Sequence, residues 1–329
     1  HIKMRLKINC KFFFPFVFMI ILCNQMSFGK FLFPPDDSLN NSQSLNGHRF
    51  IINNQIGSPF IQTYIQMLIG ASQTVNLNVP VITINSEKVA EIQGEIVYTI
   101  IDLEYQQAIR DWMAFRAKVV ITVNSGTETG ALISEGVNLS NGYELSWLFK
   151  LYRNKRFALS GSLELLNRSY TVVNLKTFIQ GVLDSGRIVK SNNLVNTVPS
   201  TRAGGSLKFC YAFNPTFGFG GNINLLYGES IDRTAKSQAF FDYGGAFDAN
   251  LLPKLKIPIG ILAGYYHNAI SATTEQVTSD LNSILFQINY TGKEDLNLGL
   301  EVNYRFYQPS DFDEKIKLMN LSLNLRYFF

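Results

Sequence analysis

From residue 58 onward the chain alternates apolar and polar residues with a period of two. The runs last 12 to 15 residues, against roughly 5 or 6 for soluble strands. Residues 113 to 124 place Met113, Phe115, Ala117, Val119, Ile121 and Val123 on one face, with Arg116, Lys118, Thr122 and Asn124 on the other. Residues 296 to 306 repeat the pattern, with Leu296, Leu298, Leu300, Val302, Tyr304 and Phe306 against Asn297, Glu301, Asn303 and Arg305. Strands of this length, greasy on one side and polar on the other, suit a tilted crossing of a bilayer. Helical crossing would need about 20 consecutive apolar residues, and the near-neutral mean hydropathy shows the apolar residues to be dispersed.

Runs of this kind occupy residues 58–72, 95–108, 113–124, 140–152, 157–168, 201–213, 217–228, 238–252, 256–268, 279–292, 295–307 and 316–329. Short connections holding turn-forming or charged residues alternate with long ones. The short ones fall at 110–112, 153–156, 214–216, 253–255 and 292–295; the long ones fall at 73–94, 125–139, 169–200, 229–237, 269–278 and 308–315. Aromatic residues bracket the short turns: Trp112, Phe115, Phe149, Phe157, Phe209, Tyr211, Phe213, Phe217 and Phe219. The expected fold is an all-β, transmembrane, antiparallel up-and-down β-barrel of about twelve strands over residues 58–329. Short periplasmic turns, longer outer loops and an interfacial aromatic girdle go with it. Closure requires strand 58–72 to pair with 316–329, with Ile61, Thr63, Ile65, Met67 and Ile69 outward and Gln62, Tyr64 and Gln66 inward. A soluble β-sandwich also alternates, but accounts poorly for the strand length and the loop rhythm.

The composition fits. The 329 residues include 26 Phe and 15 Tyr and are only 16% charged, below the roughly 25% of soluble domains. The one long apolar block, residues 12–23, follows Lys3, Arg5, Lys7 and Lys11 and precedes Ser27-Phe28-Gly29. It reads as a signal peptide over residues 1–29, with lipidation at Cys23 as the alternative. That leader holds four of the 29 Lys and Arg and none of the 25 Asp and Glu, so the remainder is electrically balanced. The basic whole-chain balance therefore points to no nucleic-acid partner. Only Cys210 follows the leader, which excludes an intrachain disulfide.

The run "LMNLSLNLRYFF" at 318–329 puts Leu321, Leu323, Leu325, Tyr327 and Phe329 on one face. It resembles the targeting signal of bacterial outer-membrane β-barrel proteins. The resemblance implies insertion by the barrel assembly machinery and outer-membrane lipid around the barrel, and the even number of strands goes with both termini in the periplasm. It covers residues 58–329 as architecture and supplies no solute.

The expected inward parity collects Asp102, Glu104, Arg116, Lys118, Glu144, Glu164, Arg202, Lys208, Asp242, Asp248, Glu301, Arg305 and Arg326. Asp102 and Glu104 stand one short turn from Arg116 and Lys118 and can pair with them as a ladder. Charges this numerous require water or partners. Two readings stand: a wet solute pathway, or a self-satisfied network that stiffens and plugs the barrel.

Other features point to less. His48 and His267 have no metal-ligand or nucleophile spacing, and no cofactor is implied. His267 lies near the outer rim, where lipid-cleaving barrel enzymes place a catalytic histidine, but no serine motif accompanies it. Gly218, Gly220 and Gly221 lie within a strand, where glycines mark curvature or room for a large neighbour. Residues 174–186 follow helical spacing through Leu175, Phe178, Ile179 and Val182, as a short outer-loop helix that either narrows the mouth or covers strand ends. Asp311, Asp313 and Glu314 form an acidic loop. Residues 30–57, rich in Asn and Ser, read as a mobile periplasmic lead-in, with a short plug as the alternative. The functional expectation is a small passive channel for polar or amphipathic solutes, against a non-conducting surface-binding or structural barrel acting through its outer loops, with a lipid-modifying enzyme as the third alternative.

Overall fold

The computed structural model describes residues 43–75, 77–84, 87–94, 96–126, 138–173, 195–229, 237–269, 281–307 and 316–329. Twelve of its strands close one antiparallel barrel: β3 (Tyr64–Val75), β6 (Ile96–Arg110), β7 (Met113–Gly126), β8 (Asn138–Arg153), β9 (Phe157–Val173), β10 (Val195–Ala212), β11 (Phe217–Gly228), β12 (Gln238–Asn250), β13 (Ile259–Asn268), β14 (Leu281–Tyr290), β15 (Leu296–Tyr307) and β16 (Ile316–Phe328). Each barrel strand pairs with the next in sequence, and β16 returns to β3 in a register running from Lys317↔Val75 to Phe328↔Tyr64. Among the described residues the barrel sheet itself has no open edge, the condition for a sheet in lipid. A 12-residue strand such as β3 extends roughly 40 Å, and at a tilt of about 40° spans roughly 30 Å of hydrocarbon.

The pleat turns the alternation inside out relative to a soluble protein. Val119, Leu163, Leu225, Phe247, Ile284, Leu300 and Leu323 lie exposed on the outer wall, while Gln66, Ser160, Gln287, Glu301 and Ser322 are almost fully enclosed. Both ends of the barrel chain, Tyr64 and Phe328, lie at the end where the short turns fall. Around that end the outer wall carries an aromatic belt. Trp112 stacks on Phe149, Phe115 meets Trp147 at 5.0 Å, and Phe157, Phe209, Phe219 and Phe247 contact one another in series. Amphipathic rings concentrate at such a height because it is where hydrocarbon gives way to water.

Four features differ from the sequence expectation. The first barrel strand begins at Tyr64, because Ser58 to Gln62 run inside the barrel. Ile61, expected to face lipid, is buried with Ala114 and Leu148. The connection 73–94 contains a β-hairpin of β4 (Leu77–Ile84) and β5 (Glu87–Gly94). The one described α-helix, α1 (Leu252–Leu255), is a single turn in the short connection between β12 and β13. Finally, the described part of residues 30–57 is packed into the lumen rather than trailing outside it. The leader 1–29, the segment 174–186 and the acidic residues 311–314 lie outside the described residues.

Candidate functional site

The lumen is occupied by the chain's own residues 43–62. A two-residue Asn46-Gly47 turn, with φ of 50° and 77°, joins β1 (Ser44–Leu45) to β2 (His48–Arg49). Asn-Gly supplies both left-handed positions of such a tight hairpin. From there the segment climbs to Asn53 and Asn54, then returns to Thr63 and enters β3.

Apolar contacts seat it on three patches of the inner wall. Leu45, Phe50 and Phe60 pack with Ala158, Cys210 and Ala212. Ile51 and Ile56 meet Ala246, Leu262 and Leu285, and Ile61 forms the third patch. Two inward glycines make room. A Cβ on Gly218 would stand 2.5 Å from His48 Nε2 and 2.6 Å from a Phe50 ring carbon, and one on Gly260 would stand 2.6 Å from Ile51.

Polar contacts fix the register. His48 Nε2 donates to Asp248 Oδ1 at 2.5 Å, and the Ile51 N–H donates to Asp248 Oδ2 at 2.9 Å. At the short-turn rim, Arg49 donates to the carbonyls of Thr291, Lys293, Glu294 and Leu296. Deeper in, Asn53 donates to Gln287 (3.1 Å), while Asn54 donates to Asp102 (2.9 Å) and accepts from Lys118 (3.0 Å). On the returning arm, Pro59 and Phe60 offer their carbonyls to Ser160 and Gln106.

Of the thirteen charged residues placed inward by parity, ten are buried and Arg116, Glu164 and Arg305 are partly buried, and eight of them form ion pairs with one another. Lys118 pairs with Asp102 at 3.0 Å and Arg116 with Glu104 at 3.7 Å. The strand register sets Glu104 opposite Lys118, so these pairs run diagonally across the ladder. Arg116 also reaches Glu144 (3.8 Å) and Glu164 (3.9 Å), and Lys208 holds Glu164 at 2.8 Å. Arg326 lies 3.9 Å from Glu104 and 4.4 Å above the Tyr64 ring, whose hydroxyl donates to Glu104. Arg168, missing from the sequence expectation, pairs with Glu144.

The other five stand apart. Asp248 holds the inserted segment. Asp242 accepts the Ala269 N–H, Arg202 stacks on Phe240 at 3.6 Å, and Glu301 and Arg305 share the inner face of β15. Between the segment and the wall, around Asn54, Glu104 and Arg116, there is space for about one water molecule. His267 stacks on Tyr243 and bonds Asn282. Among the described residues, no cluster of His, Cys, Asp and Glu could hold a metal ion.

A closed barrel with an apolar, aromatic-belted outer wall and a polar interior is of the outer-membrane β-barrel type. No family model matches it, and no curated protein matches it in sequence. Among solved structures it is similar to an outer membrane channel from Pseudomonas putida F1, with a TM-score of 0.55 at 10% identity, covering 85% of this chain and 100% of that one. Weaker likenesses include the KdgM porin (TM-score 0.41, 8% identity, 80% of this chain and 99% of that chain) and the NanC porin (0.45, 8%, 80% and 99%). At these identities the likeness is one of fold.

Proposed function

We propose that the protein is a passive outer-membrane channel for small polar or amphipathic solutes, closed in this conformation by residues 43–62. Both termini face the periplasm in this reading. Outer-membrane lipid surrounds the apolar wall, and the barrel assembly machinery inserts the chain. The observation that carries the proposal is the mode of closure: a separate segment fills a charged, hydrogen-bonding lumen and is tied to it largely through side-chain bonds that water can replace. A barrel built only to be solid would have little use for charges along a removable plug. The Pseudomonas putida F1 protein of similar fold is an outer membrane channel, in agreement with this reading.

The filled interior also favours a second reading, a non-conducting barrel that acts through its outer loops. Planar-bilayer recording separates the two. The full chain should give rare openings, and a chain lacking residues 43–57 should give sustained steps. Glu104→Gln in that shortened chain should move selectivity toward anions, because it removes one negative charge from the lumen wall. Silence from both chains, with the barrel folded, would favour the second reading.

A further inference from the structure

The inner wall is divided by chemistry. Strands β6 to β10 carry most of the ion-pair network, whereas the inward residues of β14 to β16 are mostly amides and hydroxyls, with Gln287, Asn289, Asn303, Asn320, Ser322 and Asn324 all enclosed. The register sets Gln287 beside Glu301 and Glu301 beside Ser322. One step along, Asn303 faces Asn320; one step back, Gly299 faces Asn324.

Most buried polar groups in folded proteins find a partner. On this wall, Glu301 Oε2, Asn303 Oδ1, Ser322 Oγ, Asn324 Oδ1 and Arg305 Nε have none. All five sit on neighbouring inward positions of two adjacent strands, and the side chains of Glu301, Asn303, Ser322 and Asn324 are 1%, 3%, 2% and 3% exposed. Glu301 and Asn303 are tied to each other at 2.6 Å through the Asn303 amide, which turns the Asn303 carbonyl oxygen away from its neighbour. From the level of Gly299, opposite Asn324, to Arg305 the patch is roughly 20 Å long and one strand spacing, about 5 Å, wide.

We infer that this patch is a binding subsite for a small polyhydroxylated solute, a neutral saccharide or polyol. The mix of unmet groups selects that chemistry. Three acceptors call for donors, Arg305 Nε calls for an acceptor, and Ser322 serves as either. A simple cation leaves the arginine unmet and is repelled by it, and an anion leaves three oxygens unmet. A hydroxyl both donates and accepts, so a row of hydroxyls satisfies the whole patch. On the short-turn side of the patch, the Asn289 side chain lies over Gly299 and fills the space beside Asn324. Asn53 of the inserted segment ends on Gln287 at that same edge, so the subsite lies next to the plug. The inference rests on the channel reading for its purpose but not for its test.

Saturation-transfer NMR tests it on the purified full chain in amine-oxide micelles, which carry no sugar headgroup. Sucrose is the probe, and tetraethylene glycol, an ether with few donors, is the control. Sucrose should receive saturation and the ether should not, and Asn303→Leu with Asn324→Leu should weaken sucrose binding at least about tenfold. If that pair fails to fold by heat-shift electrophoresis, Ser322→Ala with Asn324→Ser is the milder variant, and it should weaken binding in the same direction. No transfer to sucrose in the wild type means that only ordered water fills the patch, and the inference falls. Equal transfer in a folded variant also overturns it. Sucrose binding by a protein that never conducts would keep the subsite and reject the channel, and conductance without binding would do the reverse.

Discussion

Asp248→Ala should release the plug without disturbing the barrel. The carboxylate accepts two buried hydrogen bonds, from His48 Nε2 and from the Ile51 N–H, and both donors belong to the inserted segment. Its own backbone remains paired with Gly218 and Leu262 on the neighbouring strands. Truncation leaves two buried donors unsatisfied only while the segment is seated, because both are hydrated once it leaves. At about 1 to 3 kcal/mol for each unsatisfied group, less what one admitted water recovers, the seated state loses about 2 to 4 kcal/mol. The population with the segment displaced should then rise roughly 30-fold to 1,000-fold.

Cys210 reports this directly. It is the only cysteine after residue 29, and it is buried beneath Leu45, Phe50 and Phe60. Its alkylation rate should follow the displaced population whenever reseating is faster than reaction. A chain beginning at residue 30, folded in micelles and treated with a maleimide, should therefore label faster by that factor in Asp248→Ala. Heat-shift mobility should stay unchanged. Labelling within about twofold of wild type in a folded variant would refute the link between Asp248 and closure.

Gly218→Ala should act in the same direction, since its methyl would collide with His48, Asp248 and Phe50. Faster Cys210 alkylation with an intact barrel is the expected result. Val119→Arg places a cation on the outer wall between Leu103 and Tyr143 and should cost about 2 to 4 kcal/mol if near the bilayer midplane. Thr122→Arg, on the opposite parity, should cost much less in the same lipid unfolding titration, and equal costs would argue against the assigned facing. Arg116→Met removes the cation shared by Glu104, Glu144 and Glu164. Each carboxylate keeps a second cation, Arg326, Arg168 or Lys208, so the loss of unfolding free energy should stay below that of an uncompensated buried charge, at about 1 to 3 kcal/mol, read by denaturant titration in micelles.

The barrel was legible because each strand's facing is a local property. Val119 is outward and Lys118 inward wherever their neighbours lie, so a period of two gives the wall, the closure and the charged lining together. The plug was not legible in the same way, because its partners are distant: His48 meets Asp248 across 200 positions, and no period within residues 43–62 announces such a contact. Signals were nevertheless present. Asn46-Gly47 is a strong local hairpin pair. Phe50, Ile51, Ile52, Ile56, Phe60 and Ile61 are too apolar for a solvated tether. Gly218 and Gly260 stand at inward positions, where a wall without an occupant needs no clearance. The strand boundary at 58 failed for a related reason: Ile61 continues the alternation of β3 but spends it on the inner patch with Ala114 and Leu148.

The distribution of bonds between plug and wall bears on whether closure is reversible. When the segment leaves, Asp102 keeps Lys118 at 3.0 Å, Glu164 keeps Lys208 at 2.8 Å, and Glu104 keeps Arg116, Arg326 and the Tyr64 hydroxyl. The network of the wall thus stays paired within itself, and losing Asn54 costs it one neutral contact on each side. Asp248 is the exception, since both of its hydrogen bonds go to the segment. It stands near the short-turn end, where water reaches a vacated lumen first. Most of the cost of opening therefore falls on apolar contacts of Phe50, Phe60 and the isoleucines, and on one carboxylate that water can solvate. A wall that depended on the plug for its charge balance would collapse or hold the plug permanently. This wall is charge-paired without the plug, which is the electrostatic condition the proposed channel needs in order to open around an intact barrel.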